Sequence, residues 1–235
     1  MAAPMKRFLT RVVPQTGERA LGSVIFLHGS GDTGIGVQEW VNMVLGMKQL
    51  TFPHLRILYP TAPPRPYTPM MGNLSTVWYD RSQISPNSPD NDTVGAMATQ
   101  LAELVQCEVD LGIPLNRIII GGFSMGGGMA LHLGYKHLRG IAGVFAMSSF
   151  LSEQSTVYEA LEKDNSGIPP LFMSHGEIDT LVDYSWGEAT FRRLKELGVQ
   201  GQFHRVPGLL HEMDNDTLTK LCAWITSLVP QSSAL

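Results

Sequence analysis

The sequence predicts an α/β protein with a mostly parallel central sheet and helices on both faces. Short apolar runs rich in β-branched residues, each bounded by Gly or Pro, alternate along the chain with stretches of helical spacing. Such alternation is typical of βαβ units, which bury a parallel sheet between two layers of helices. The chain has 235 residues, 43% of them hydrophobic, and no repeat or linker divides it. We therefore expect residues 1–235 to form a single domain.

The predicted elements follow one another in this alternating order. Phe8–Val13 could add an edge strand before the others. The remaining predicted strands are Val24–Leu27, Arg56–Tyr59, Arg117–Ile120, Gly143–Met147, Leu171–Ser174 and Gln202–Val206. The predicted helices are Thr93–Asp110, Met125–His137, Trp186–Leu197 and a last helix that begins near Asp214.

One long segment, Pro60–Pro89, resists assignment as helix or strand. It contains seven prolines, and its aromatic residues Tyr67, Trp78 and Tyr79 favour a packed loop. Long ordered loops in compact domains are usually functional, although a disordered insertion is the alternative. We expect an ordered loop with a role in function.

The charge pattern excludes some classes of partner. The net charge is −4, and Lys and Arg do not form the basic runs that bind nucleic acid or anionic membranes. No stretch approaches the ~18 apolar residues of a membrane span, which argues against stable membrane insertion. The first residues, Met1–Arg7, lack the apolar run of a signal peptide, so we expect a cytoplasmic protein.

The strongest motif is Gly122-x-Ser124-x-Gly126. A predicted strand precedes it and a predicted helix follows, which is the setting of a nucleophile elbow. In that turn the serine is strained, and small flanking residues let the strand and the helix approach each other. Because the motif occurs once and in this setting, it predicts that Ser124 is the nucleophile of an α/β-hydrolase fold.

A serine hydroxyl needs a base, which in this fold lies near the end of the chain. His211 lies in a loop between the last predicted strand and the last helix, from which an imidazole can reach over the sheet edge. The alternatives fit less well. His137 ends the helix of the elbow, His175 precedes the acid candidates and His204 lies within a strand. We expect His211 to be the base.

The acid should follow the strand at Leu171–Ser174. Asp179 lies in the loop that leaves this strand, where a carboxylate can orient the imidazole and stabilise its charged form. Asp183 is the second candidate, although a helix-capping role suits it better, and Glu177 is a third. We choose Asp179.

Two backbone N–H groups should form the oxyanion hole. One is that of Met125, which follows the nucleophile, and we assign the other to Leu27 at the exit of an early strand. The His28 side chain should buttress this loop and not transfer protons. The predicted reaction is acyl transfer through an acyl-enzyme, with no metal or organic cofactor.

A competing motif lies in the same loop. Residues 29–34 match G-x-G-x-x-G after a strand and before an apparent helix, as in dinucleotide-binding proteins. That motif also requires an acidic residue about 20 positions later, to hold the ribose. No acidic residue lies between Glu39 and Asp80, which argues against a dehydrogenase.

With these residues in place, the chain resembles the acyl-protein thioesterase/lysophospholipase family over nearly its whole length. The motifs that carry the resemblance are Phe26–Asp32, Tyr59–Arg65, Val77–Asp80, Gly122–Gly127 and the loops of Asp179 and His211. The resemblance implies a cytosolic hydrolase of acyl thioesters and esters, with S-palmitoylated proteins as a characteristic substrate class. It implies the same triad and oxyanion donors, and it places the Pro60–Asp80 loop with Trp78 beside the active site.

One residue departs from the family pattern. The thioesterases proper have glutamine after the nucleophile, where this chain has Met125. The backbone donor survives the change, and the resemblance to the branch of the family that has methionine at this position implies a shallower pocket and a preference for shorter acyl chains. Trp78, Met70 and Met71 are candidate substrate-binding residues. The expected substrate is an acylated protein or a small acyl ester or thioester; a general short-chain carboxylesterase and a non-catalytic acyl-binding module are the alternatives.

Overall fold

A seven-stranded sheet forms the centre of the protein, whose computed structural model describes residues 8–231. Two further short strands form a separate hairpin. The strands in chain order are β1 (Leu9–Val13), β2 (Gly22–Leu27), β3 (Leu55–Thr61), β4 (Pro64–Pro66), β5 (Leu74–Thr76), β6 (Ile118–Phe123), β7 (Gly143–Met147), β8 (Leu171–Gly176) and β9 (Gly201–Val206).

The helices connect these strands. In chain order they are α1 (Gly34–Val44), α2 (Asp92–Asp110), α3 (Met125–His132), α4 (Thr156–Lys163), α5 (Tyr184–Glu196) and α6 (Asn215–Leu228). Polar side chains cap most of the N-termini, because the first backbone N–H groups of a helix lack partners within it. The capping residues are Thr33, Asn91, Ser155, Asp183 and Asp214.

The central sheet is parallel except at one edge. Its order is β1-β3-β2-β6-β7-β8-β9, and only β1 runs antiparallel to its neighbour. The predicted mostly parallel sheet and its N-terminal edge strand are therefore confirmed. All six parallel strands end at one edge, which is where open α/β sheets place their ligand sites.

Helices cover both faces of the sheet, as predicted. On β2, Ile25 and Leu27 pack into the core with α2, α3, α4 and α5, whereas Val24 and Phe26 pack into the core with α1 and α6. Successive side chains of a strand point to opposite faces, so a strand buried on both sides reads as an uninterrupted apolar run. For this reason strands that are buried on both faces could be predicted from the sequence.

Several predicted boundaries were wrong. Arg117 belongs to a 3₁₀ turn and not to β6, and the helix predicted to reach His137 changes at Leu133 into a single π-type turn. At that turn a Cβ on Gly134 would lie 2.3 Å from a Val144 methyl, so the chain packs tightly on the sheet. Helix α4 was not predicted, because two turns give too short a periodic pattern.

The Pro60–Pro89 segment is an ordered loop with little regular structure. It contains the end of β3, the β4–β5 hairpin and one 3₁₀ turn. Hydrogen bonds attach it to the loop after β2: Gly31 N–H donates to Thr76 O at 3.0 Å, and Thr76 Oγ1 donates to Asp32 O at 2.6 Å. The disordered alternative is therefore wrong, and the segment lies over the carboxyl edge of the sheet.

Candidate active site

Ser124 occupies the sharp turn between β6 and α3. Its backbone has φ 53° and ψ −122°, a left-handed conformation that is rare for a residue with a side chain. The turn is held from both sides, since Ser124 N–H donates to Met147 O at 2.8 Å and Gly128 N–H donates to Ser124 O at 3.1 Å. Strain of this kind persists only where its surroundings enforce it, and it is found mainly at functional sites.

The two flanking glycines make this turn possible. A Cβ on Gly122 would lie 2.3 Å from Leu27 O, and one on Gly126 would lie 2.2 Å from the same oxygen. Both distances are shorter than any normal contact, so only glycine lets α3 approach the ends of β2 and β6 this closely. The Gly-x-Ser-x-Gly pattern thus has a steric explanation in this chain.

Asp179 lies in the loop after β8, with its side chain fully buried. Its Oδ1 accepts hydrogen bonds of 2.9 Å from the backbone N–H groups of Leu181 and Val182. Its Oδ2 lies 2.7 Å from His211 Nδ1. Backbone donors of this kind stabilise the ionised carboxylate and fix its orientation.

His211 lies in the loop between β9 and α6. Because Nδ1 faces the carboxylate of Asp179, it carries the proton, which leaves the lone pair on Nε2 free to accept one. The imidazole packs on the Phe123 ring, with centroids 4.8 Å apart. Ile178 N–H donates to Leu209 O at 3.1 Å, so the loops of Asp179 and His211 are joined directly.

Ser124 and His211 line one cleft at the carboxyl edge of the sheet. Its volume is about 240 Å³, which is below the roughly 300–1,000 Å³ of most ligand pockets. Within residues 8–231 no hydrogen bond joins the serine hydroxyl to the imidazole; such bonds often close only with substrate present. The other lining residues are Gly29, Ser30, Asp32, Trp40, Arg81, Ile84, Phe123, Leu181 and Val182.

The loop after β2 reaches this cleft at a different residue from the one expected. Leu27 is fully buried, pairs with Gly122 in the sheet and does not line the cleft. Gly29 and Ser30 do line it, and the Ser30 hydroxyl approaches Met125 Sδ at 3.5 Å. The reason is that β2 continues through Leu27, so the chain turns towards the nucleophile only afterwards.

Comparison with known proteins identifies the family of this chain. The model of the phospholipase/carboxylesterase family matches residues 10–229, nearly the whole chain. The chain belongs to this family. It is therefore a hydrolase with the α/β-hydrolase fold, and the resemblance found in the sequence is confirmed.

Named relatives of this phospholipase/carboxylesterase cover most of the chain. Mouse lysophospholipase-like protein 1 is 46% identical over 230 residues, which are 97% of this chain and 96% of the mouse protein. Acyl-protein thioesterase 1 of Neurospora crassa is 33% identical over 91% of this chain and 89% of its own. The crystal structure of Zea mays acyl-protein thioesterase 2 matches with a TM-score of 0.81 and 26% identity, covering 95% of this chain and all of the maize chain.

In this family member, the three predicted substrate-binding residues lie away from the cleft lining. Trp78 is fully buried, and its indole Nε1–H donates to His28 O at 2.8 Å. Met70 and Met71 lie at the turn between β4 and β5, and Met71 is 92% exposed. Trp78 therefore supports the loop beneath the cleft, because its single N–H is used by the backbone there.

His28 buttresses the loop after β2, as predicted. Its Nδ1–H donates to Gly29 O at 2.7 Å, and its Nε2 accepts from Ala62 N–H at 3.0 Å. Burial lowers the pKa of His28, so the neutral ring is favoured. The ring joins the β2 loop to the end of β3 and takes no part in the cleft.

Sequence reasoning missed a second histidine beside the acid. His175 Nε2 lies 2.8 Å from Val182 O and 3.4 Å from Asp179 Oδ2, so its N–H holds the acid loop in place. Burial lowers the pKa of His175, which keeps the ring neutral next to Asp179. The position of His175 before Asp179 in the sequence did not predict the contact between them.

Sequence reasoning also missed Arg81, which lines the cleft although it directly follows the conspicuous Trp78-Tyr79-Asp80 motif.

Two further properties concern membranes and metal ions. None of the helices in residues 8–231 has the length and apolar character needed to cross a membrane. The same residues contain no cluster of three His, Cys, Asp or Glu side chains arranged to hold a metal ion.

Proposed function

We propose that the chain is a serine hydrolase that cleaves short acyl esters and thioesters through an acyl-enzyme on Ser124. The observation that carries the proposal is the 2.7 Å contact between His211 Nδ1 and Asp179 Oδ2 beside a strained Ser124 in the same cleft. Packing alone does not require a serine, a histidine and a buried carboxylate at the ends of three different strands.

In the first half-reaction Ser124 Oγ attacks the carbonyl carbon. Nε2 of His211 takes the hydroxyl proton, and Asp179 stabilises the imidazolium that forms. The tetrahedral intermediate then collapses, the bond to the leaving sulfur or oxygen breaks, and His211 donates its proton to the leaving group. An acyl-Ser124 ester and a thiol or alcohol are the products.

In the second half-reaction water attacks the acyl-enzyme. His211 takes a proton from the water as the oxygen bonds to the carbonyl carbon, and it returns a proton to Ser124 Oγ when the ester bond breaks. The carboxylic acid leaves and the enzyme is restored. Neither half-reaction calls for a metal or an organic cofactor.

The oxyanion in both half-reactions is proposed to bind backbone N–H groups. Met125 supplies one of them, because the first N–H groups of α3 have no partner within the helix. The second donor is assigned to Ser30 in place of Leu27. The position of Ser30 in the cleft, with its hydroxyl 3.5 Å from Met125 Sδ, supports this assignment.

The substrate class is proposed from the cleft and from the relatives. A volume of about 240 Å³ favours short acyl groups over a sixteen-carbon chain. The relatives named acyl-protein thioesterase support thioesters, and acylated proteins as one source of them. Depalmitoylation of proteins is the less favoured form of this activity. The cytoplasmic location stays a prediction.

A serine-directed fluorophosphonate probe tests the nucleophile. We expect labelling of the wild-type chain and none of Ser124→Ala. The matched control is Ser148→Ala, since Ser148 is also buried with a positive φ of 47° at the end of a neighbouring strand but does not line the cleft. Labelling that persists in Ser124→Ala would contradict Ser124 as the nucleophile, and labelling that is absent from the wild type would contradict the hydrolase and favour an acyl-binding module.

A series of acyl substrates tests the chain length. We expect kcat/KM for 4-nitrophenyl esters and for matched thioesters to fall between four and sixteen carbons. A rise towards sixteen carbons would contradict the short-chain proposal and favour depalmitoylation. Hydrolysis of the oxygen esters without the thioesters would favour a general carboxylesterase.

A further inference from the structure

A buried cation lines the cleft beside the nucleophile. Arg81 is only 8% exposed, yet it shares the cleft lining with Ser124 and His211. Its Nε–H donates to the Tyr67 hydroxyl at 2.8 Å, and its Nη2 reaches the Ser30 hydroxyl at 3.5 Å, which is long for a hydrogen bond. Within residues 8–231 the guanidinium therefore makes one hydrogen bond of normal length, to a neutral acceptor, and its other N–H groups lack such an acceptor.

No carboxylate neutralises this charge within residues 8–231. The ion-paired arginines of that part of the chain, Arg56 and Arg205, have Glu108 and Glu177 as partners. Asp32 also lines the cleft, but it lies beyond ion-pair distance of Arg81. Buried charges are ordinarily paired, because removing an ion from water is costly unless a counter-charge replaces the water. The pairing of Arg81 is thus incomplete in the free protein.

A purely structural role does not explain the charge. The Tyr67 hydroxyl needs one donor, which a neutral amide could supply. Arg65, in the same loop, shows what a structural arginine does here: its Nη1 donates to Trp78 O at 3.1 Å, outside the cleft lining. What distinguishes Arg81 is a buried positive charge in the lining of the cleft that contains Ser124 and His211.

The position of Arg81 indicates which part of the substrate it faces. His211 protonates the leaving group, so the leaving group must lie on the side of the imidazole. Arg81 contacts Ser30, in the loop assigned to the oxyanion hole, and makes no hydrogen bond to His211. The contact with Ser30 places the guanidinium at the loop assigned to the oxyanion hole, and we assign to it the acyl group and not the leaving group.

We propose that Arg81 binds a carboxylate on the acyl group, so that the preferred substrates are short acyl esters or thioesters with a terminal carboxylate. The planar guanidinium matches the two oxygens of a carboxylate, and the partly buried site strengthens the pair. This proposal rests on the function proposed for Ser124. It adds the chemical class of the acyl group to that function.

Two substrates of equal acyl length test the proposal. With the spontaneous hydrolysis of each ester measured without enzyme and subtracted, we expect wild-type kcat/KM for mono-4-nitrophenyl succinate to exceed that for 4-nitrophenyl butyrate at least tenfold. In Arg81→Gln, which keeps a donor for Tyr67, we expect the ratio of the two kcat/KM values to fall to about one, chiefly through a higher KM for the succinate ester. Arg65→Gln is the matched control and should retain the wild-type preference.

The remaining outcomes separate the two proposals. A wild-type chain that prefers the butyrate ester, or an Arg81→Gln chain that loses both activities equally while melting at the wild-type temperature, would overturn the role of Arg81. Activity on both esters that survives in Ser124→Ala would overturn the proposed function itself. If Arg81→Gln does not fold, Arg81→Lys replaces it. We expect Arg81→Lys to keep only part of the preference, and an unchanged preference would contradict a forked contact.

Discussion

Asp179, the proposed acid of the triad, has hydrogen-bond partners on both of its carboxylate oxygens. Asp179 receives two backbone N–H groups on Oδ1, contacts His211 through Oδ2 and has the His175 N–H 3.4 Å away. Its orientation is thus set from three directions before any substrate binds. A carboxylate held in this way selects the tautomer of His211 that can act as a base.

Replacing this carboxylate by an amide should therefore disable the base. In Asp179→Asn we expect kcat for a short acyl ester to fall by about 10³–10⁴-fold, because an amide can stabilise the wrong imidazole tautomer and not the imidazolium. Steady-state kinetics on the purified variant measures the loss. Asp183→Asn is the control, since Asp183 is exposed and caps α5 through the Ser185 N–H. A larger loss in Asp183→Asn than in Asp179→Asn would reverse the assignment of the acid.

At the level of elements, the junction of β2, β6 and α3 leaves no room for a Cβ on either glycine that flanks Ser124. The Leu27 carbonyl oxygen lies where a Cβ of either Gly122 or Gly126 would have to go. By contrast, Gly95 lies within α2 with no atom within 4 Å of its hypothetical Cβ. An added methyl group should therefore have opposite effects on the free energy of unfolding at these two kinds of glycine.

We expect Gly126→Ala to lower the free energy of unfolding by about 3 kcal/mol or more, because the methyl group overlaps backbone that cannot move away. Gly95→Ala should raise it by about 0.5–1 kcal/mol, since alanine restricts the unfolded chain and favours helix. Urea unfolding of both variants provides the measurement. A Gly126→Ala chain as stable as the wild type would show that α3 can shift away from β2.

Across the whole molecule, buried neutral histidines connect stability to pH. Burial lowers the pKa of His28 and His175 below the ordinary value of 6.5. Below pH 6.5 the unfolded chain therefore binds protons that the folded chain excludes, and the folded state loses stability. The stability that the folded state gains by keeping these two histidines neutral is fully present above pH 6.5 and is lost as the pH falls below it.

We accordingly expect a lower free energy of unfolding at pH 5.5 than at pH 7.5. Urea titrations at the two pH values measure the difference. In His175→Gln the difference should be smaller, because one of the titrating groups is gone. Equal stability of the wild type at both values would contradict the effect.

Some elements of the fold could be predicted from the sequence alone, and others could not. The parallel strands other than the edge strand β9 were predicted because they are buried on both faces and so form continuous apolar runs. The helix at Thr156–Lys163 escaped notice, and Arg117 was placed in the wrong element. Both errors occur where the pattern is short, and short patterns do not distinguish helix, turn and strand.

By itself, the sequence determined the family, the α/β fold and the candidates Ser124, Asp179 and His211. These depend on local information: a strained turn between two glycines, and polar residues directly after strands. Only the tertiary structure decided which side chains reach the cleft. It buried Trp78, kept Leu27 within the sheet and brought Arg81 and Ser30 together, 51 positions apart. The physical reason is that such contacts arise from packing between distant segments, and no spacing along the chain records them.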